Sequence, residues 1–135
     1  MRLWHYKLIP YLPKSQLLAQ WRELNSIYKK QDKHILINYI YEYDMGELYS
    51  YSIMILNEFM DRGYKIKSSD NYMNYFRNII GSGRITITPF NRHHNEQYLI
   101  QCFYNLQEKY DRGQKDFSRA EYEKLENFIK GELKI

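Results

Sequence analysis

Apolar residues recur at helical spacing along most of the chain. From Pro13, the positions Leu17, Trp21, Leu24, Tyr28 and Ile35 fall on one stripe. They predict a long first helix that starts near Ser15 and buries that stripe. A second helix is predicted from about Gly46 to Arg62, carrying Leu48, Ile55, Leu56 and Phe59, with Gly63 as its stop. Ser68, Ser69 and Asp70 offer caps for a short aromatic helix reaching Ile80, closed by Gly81-Ser82-Gly83.

The pattern changes only at Arg84-Ile85-Thr86-Ile87-Thr88, which alternates like a strand. No second segment with that period exists to pair with it, so it is expected to be an extended connector. A third long helix is predicted from about His93 to Asp111 on Leu99, Phe103 and Leu106. A fourth begins at Ser118, with Glu121 three residues later at capping-box spacing. There are no repeats and no linker. The expected architecture is mainly α, a single compact multi-helix bundle over residues 1–135 with one short extended connector.

Composition supports a folded chain. Its 135 residues include 15 Tyr, 6 Phe and 2 Trp against only 6 Gly and 3 Pro, enough apolar surface to offset the entropy of ordering one domain. The apolar run from Leu8 to Leu12 is interrupted by Pro10 and bounded by Lys7 and Lys14, far short of a membrane span. The expectation is a soluble, cytoplasmic protein with no membrane partner. The lone cysteine, Cys102, has no internal partner for a disulfide; beside Leu99, Phe103 and Leu106 it reads as a buried apolar residue.

The net charge of +4 is unevenly spread. Residues 1–40 carry Arg2, Lys7, Lys14, Arg22, Lys29, Lys30 and Lys33 against Glu23 and Asp32, while the rest of the chain is close to neutral. A basic segment on a neutral body suits a polyanion, and solvated lysines give the same count. On the first helix, Gln16, Gln20, Glu23, Ile27, Lys30 and His34 recur at steps of four and three and so share a second face. That face is either a solvated surface or the wall of a site in which Glu23 acts as acid or base.

The N-terminal run Met1-Arg2-Leu3-Trp4-His5-Tyr6-Lys7 adds a second chemical group. An α-amine has an ordinary pKa of about 7.7 to 8.0, so part of it is an unprotonated nucleophile at neutral pH. If this terminus docks on the first helix, amine and carboxylate can meet; a frayed terminus is the alternative. Trp4, His5 and Tyr6 could stack on bases or anchor the segment, and for Trp4 the anchor is favoured.

No metal or other cofactor is expected. His5, His34 and the pair His93-His94 lack ligand spacing, since neighbours on a helix point about 100° apart. Gly81-Ser82-Gly83 lacks the ending of a phosphate loop.

The segment Gln16-Leu17-Leu18-Ala19-Gln20-Trp21-Arg22-Glu23-Leu24, followed by Lys33-His34, resembles the first helix of the pyrimidine-dimer DNA glycosylases of the phage endonuclease V type. Phe59-Met60-Asp61-Arg62-Gly63-Tyr64-Lys65-Ile66-Lys67 is similar to the end of that family's second helix and the turn after it. His94-Asn95-Glu96, leading into a helix through Glu108-Lys109, is a weaker match. The resemblance implies an all-α fold whose N-terminal arm threads toward the first helix. It implies an α-amine, on Met1 or on Arg2 after methionine removal, that attacks C1′ of a damaged nucleotide and forms a Schiff base. It implies that Glu23 manages protons, that Arg22 sits on the phosphate side and that no metal is needed. The family carries a small residue where Arg2 stands, and arginines where Leu3 and Ser26 stand.

The function expected from these readings is a DNA-repair glycosylase with lyase activity on damaged duplex DNA. Glu23 and the Met1 or Arg2 amine would be catalytic, and Arg22, His5, Lys30, Lys33 and His34 would contact nucleic acid. The alternatives are a DNA-binding relative without lyase chemistry, a hydrolase using His5 and Glu23 on another substrate, and a helical protein-interaction module.

Overall fold

The computed structural model describes residues 2–134. Five α-helices account for most of them: α1 (Lys14–Lys29), α2 (Met45–Asp61), α3 (Asp70–Tyr75), α4 (Glu96–Asp111) and α5 (Arg119–Leu133). Short 3-10 segments occupy Tyr6–Tyr11 and Asn38–Glu42, and there is no strand among the described residues. The fold is mainly α, as the apolar periodicity predicts.

Helix ends follow local chemistry. The Asp44 carboxylate caps α2 by accepting from Gly46 N at 3.0 Å, and Gly63, at φ 75°, takes the left-handed turn that follows its last residues. Asn95 caps α4 through Tyr98 N. Ser118 and Glu121 form the reciprocal capping box of α5 expected from their spacing. Pro13 gives α1 no side-chain cap; instead Ser15 N donates to Asp116 Oδ2 at 2.6 Å, which ties the start of α1 to the loop before α5.

Three boundaries differ from expectation. The first helix stops at Lys29 and Lys30 turns extended, so Lys30, Lys33, His34 and Ile35 do not continue its faces. Nothing in Lys29-Lys30-Gln31-Asp32-Lys33 offers apolar surface to bury, and a helix there would gain no packing. The third long helix begins at Glu96 rather than His93, because His93 N and His94 N both bond back to the Phe90 carbonyl in a turn. The short aromatic helix is regular only over Asp70–Tyr75 and continues as turns toward Gly81.

The Arg84–Thr88 connector is irregular and lies along the start of α2, where Thr86 N donates to Ser50 Oγ at 2.9 Å. A side chain at Gly46 would stand 3.0 Å from the Arg84 carbonyl, so this approach favours glycine.

One core joins these elements. Trp21 and Tyr28 from α1, Tyr49 and Phe59 from α2, and Tyr72 and Phe76 at α3 interlock edge to face and offset. On the far side Tyr110 of α4 stacks on Tyr122 of α5, with ring centroids 4.2 Å apart. Between them runs the N-terminal arm, whose Leu3, Trp4, Leu8, Ile9 and Leu12 are all buried, so Trp4 is the anchor expected of it. The arm's 3-10 segment packs on α2 and α5.

Candidate functional site

The arm is held by its backbone. Trp4 N donates to Gln20 Oε1 at 2.8 Å, and the Gln20 amide nitrogen donates to the Arg2 carbonyl at 3.0 Å. Tyr51 Oη donates to the Trp4 carbonyl at 2.7 Å and lies 2.9 Å from Gln20 Oε1, while Tyr98 Oη donates to the Leu3 carbonyl at 2.6 Å. Farther along, Tyr6 N donates to His94 Nδ1 at 3.2 Å. That bond leaves the His94 proton on Nε2, which faces Tyr39 Oη at 2.6 Å. Three helices therefore fix residues 2–4, through Gln20 from α1, Tyr51 from α2 and Tyr98 from α4, and His94 in the turn before α4 holds Tyr6.

Gln20 has a further bond. Its Nε2 also donates to Glu23 Oε2 at 3.0 Å, one turn along α1. A single amide thus bridges the backbone of residue 2 and the carboxylate of Glu23. The two groups share a cleft of about 310 Å³ with Trp4, Gln16, Leu36, Asn105 and Lys109. Half-burial raises the Glu23 carboxyl above its ordinary range; nearby positive charge, Arg22 included, and the Gln20 amide oppose the shift. A carboxyl whose pKa is raised in this way holds a proton more readily than an ordinary carboxylate, which suits a group that passes protons.

The remaining residues singled out by sequence are dispersed around this cleft. Arg2 is half-buried, its guanidinium 5.9 Å from the ring centroids of Trp4 and Tyr98. Arg22 is exposed beside Glu23. Lys30 and Lys33 are exposed and line a neighbouring shallow pocket with Ser26, Gln31 and Asp32, and His34 is exposed in the turn that follows. Met1 lies outside the described residues.

His5 does not fit the nucleic-acid contact expected of it. It is 2% exposed, its Nδ1 accepts from Lys7 N at 3.1 Å, and burial lowers its pKa to about 4, leaving it neutral and all but closed to solvent. It lines a different cavity, with Tyr6, His94 and Glu132, so it does not join Glu23 in one site.

The second face of α1 is also not a solvated surface. Gln20 is 1% exposed and Ile27 fully buried, because the arm covers Gln20 and other parts of the fold cover Ile27. An isoleucine within the polar stripe was the signal that this face is covered. Tyr51, Tyr98 and His94 had no such signal, since their roles depend on contacts 47 to 95 residues away. Cys102 is buried as expected, and burial pushes its thiol up. Among the described residues there is no group of three or more metal-ligating side chains.

A family model described as pyrimidine dimer DNA glycosylase matches residues 1–72, which include the arm, α1, the Lys30–Leu36 turn and α2. No curated protein and no solved structure matches the chain.

Proposed function

Because the chain belongs to the pyrimidine dimer DNA glycosylase family, we propose that it removes a damaged base and cleaves the strand there, with its N-terminal amine as nucleophile and Glu23 as proton carrier. The nitrogen is that of Met1, or of Arg2 if the methionine is removed. Its lone pair attacks C1′, the bond from C1′ to the base breaks, and the base departs with a proton. The sugar ring opens as O4′ takes a proton, leaving an iminium ion between C1′ and the protein. Loss of a C2′ proton then expels the 3′ phosphate, and water releases the imine. Each step moves one proton near C1′, the service a carboxyl of raised pKa performs.

The observation that carries this reading is the Gln20 amide shared between the Arg2 carbonyl and Glu23. It keeps the start of the arm beside the carboxylate, at the cleft. Exposed Arg22, Lys30, Lys33 and His34 form the phosphate-facing side of the proposal, and the nucleotide reaches the cleft by leaving the base stack.

Borohydride trapping on abasic and dimer-containing duplexes tests the nucleophile. A covalent adduct through the N-terminal residue is expected, lost when the amine is blocked. Glu23→Gln is expected to abolish turnover while sparing binding. Salt-sensitive binding with no trapped adduct would refute the lyase and leave a DNA-binding relative; binding indifferent to both salt and DNA would point to a protein-interaction module.

A further inference from the structure

Beside the Glu23 cleft two large apolar side chains form the tip of a tight turn. Ile35 is 80% exposed and Leu36 45% exposed, and Leu36 also lines the cleft with Glu23 and Arg2. Turn tips are ordinarily Gly, Asn, Asp or Ser, whose chemistry suits the bend. An isoleucine pushed into water there has no partner within the fold.

The turn is nevertheless braced. The His34 carbonyl accepts from Ile37 N at 2.9 Å and from Asn38 N at 2.8 Å. The His34 ring accepts from Leu36 N at 3.1 Å, and Asp32 Oδ1 accepts from His34 N at 2.9 Å. Ile37, fully buried, fixes the turn to the core. Such a tip keeps its shape and offers apolar surface at little entropic cost.

The surrounding charge selects the occupant. Lys29, Lys30, Lys33 and His34, all exposed, lead into the turn along the chain, and Arg22 is exposed next to Glu23, which shares the cleft with Leu36. The acids on this stretch are Asp32, occupied by His34 N, and Glu23, drawn into the cleft. A hydrophobic point that follows a run of exposed lysines complements a polyanion with an apolar interior, which is the base stack of a duplex behind its phosphates.

We propose that the Ile35–Leu36 turn is a wedge that enters the base stack of duplex DNA beside the nucleotide presented to Glu23. It rests on the glycosylase reading, which requires a nucleotide to leave the stack. The wedge fills the space so opened and slows its collapse.

The test uses the whole protein and a duplex carrying 2-aminopurine next to an abasic site, compared with the same strand unpaired. Wild type at low salt is expected to raise 2-aminopurine fluorescence on binding, and Ile35→Ser to lose that rise with its melting temperature unchanged. The ratio of duplex to single-strand trapping rates is expected to fall about tenfold in Ile35→Ser. An undiminished rise in Ile35→Ser overturns the wedge. A rise in wild type without a trapped adduct upholds the wedge and refutes the lyase. Trapping by wild type with no rise refutes the wedge alone.

Discussion

Replacing Gln20 by leucine removes an amide at the meeting point of arm, α1 and α2 while roughly keeping its volume. Four hydrogen bonds disappear, but their losses differ. Trp4 N is buried and finds no other acceptor; Tyr51 Oη keeps the Trp4 carbonyl; the Arg2 carbonyl and Glu23 are half-exposed and regain water. One orphaned buried donor costs about 1–3 kcal/mol, and the two rehydrated acceptors lose up to about 1 kcal/mol together, giving about 1–4 kcal/mol in all. That is a large share of the roughly 5–15 kcal/mol by which a domain is stable. Urea unfolding should show it as a lower midpoint with unchanged slope, and amide exchange should show Trp4 N–H opening before the helices. The same substitution removes a donor to the Glu23 carboxylate, so the Glu23 pKa rises further and the corresponding limb of the pH profile for trapping moves upward. A destabilisation below about 0.5 kcal/mol, the usual range of surface substitutions, would refute the assignment of Gln20 as the link between arm and carboxylate.

Three further outcomes are expected. Acid should loosen the arm: His5 and His94 stay neutral when folded, with pKa values lowered by burial to about 4 and about 2, whereas unfolded histidine titrates near 6.5. Stability is therefore complete above that value and falls as pH drops below it, by up to about 2 kcal/mol per histidine at pH 5. Denaturation at pH 7 and 5 should show His94→Gln with about half the wild-type loss, and an unchanged loss counts against the burial. Glu23→Gln should melt higher than wild type at pH 7, because a carboxyl whose folded pKa is raised costs stability where it is ionised; scanning calorimetry should find the gap closing below the carboxylate range, and a gap independent of pH contradicts it. Ser118→Ala, which breaks the capping box of α5, should lower unfolding free energy by about 1 kcal/mol without altering trapping.

The helices were legible wherever apolar period and cap agreed. The start of α5 followed from Ser118 and Glu121, the end of α2 from Gly63, and Trp4 as anchor from the cost of exposing it. Glu23 stands out as the one carboxylate on the second face of the first helix, and it does line the cleft. Lys30 and His34 were assigned to that helix because heptad spacing continues through them, although periodicity carries no information about whether anything covers the next turn. Gln20's face stays open between solvent and a site wall in the sequence, because a glutamine's burial is decided by its partners, here a backbone carbonyl eighteen residues away and a tyrosine thirty-one away. His5 was read as a contact to nucleic acid from its neighbours in sequence, whereas its neighbours in space are His94 and Tyr98.

The arm finds its last partners only late in the chain. Leu3 waits for Tyr98 and Tyr6 for His94, so during synthesis the arm is held by Gln20 and Tyr51 alone until α4 follows. A chain broken off before α4 would keep Glu23 and Gln20 yet lack what bounds the cleft on that side. The cleft beside Glu23 is thereby closed only once Asn105 and Lys109 have been made.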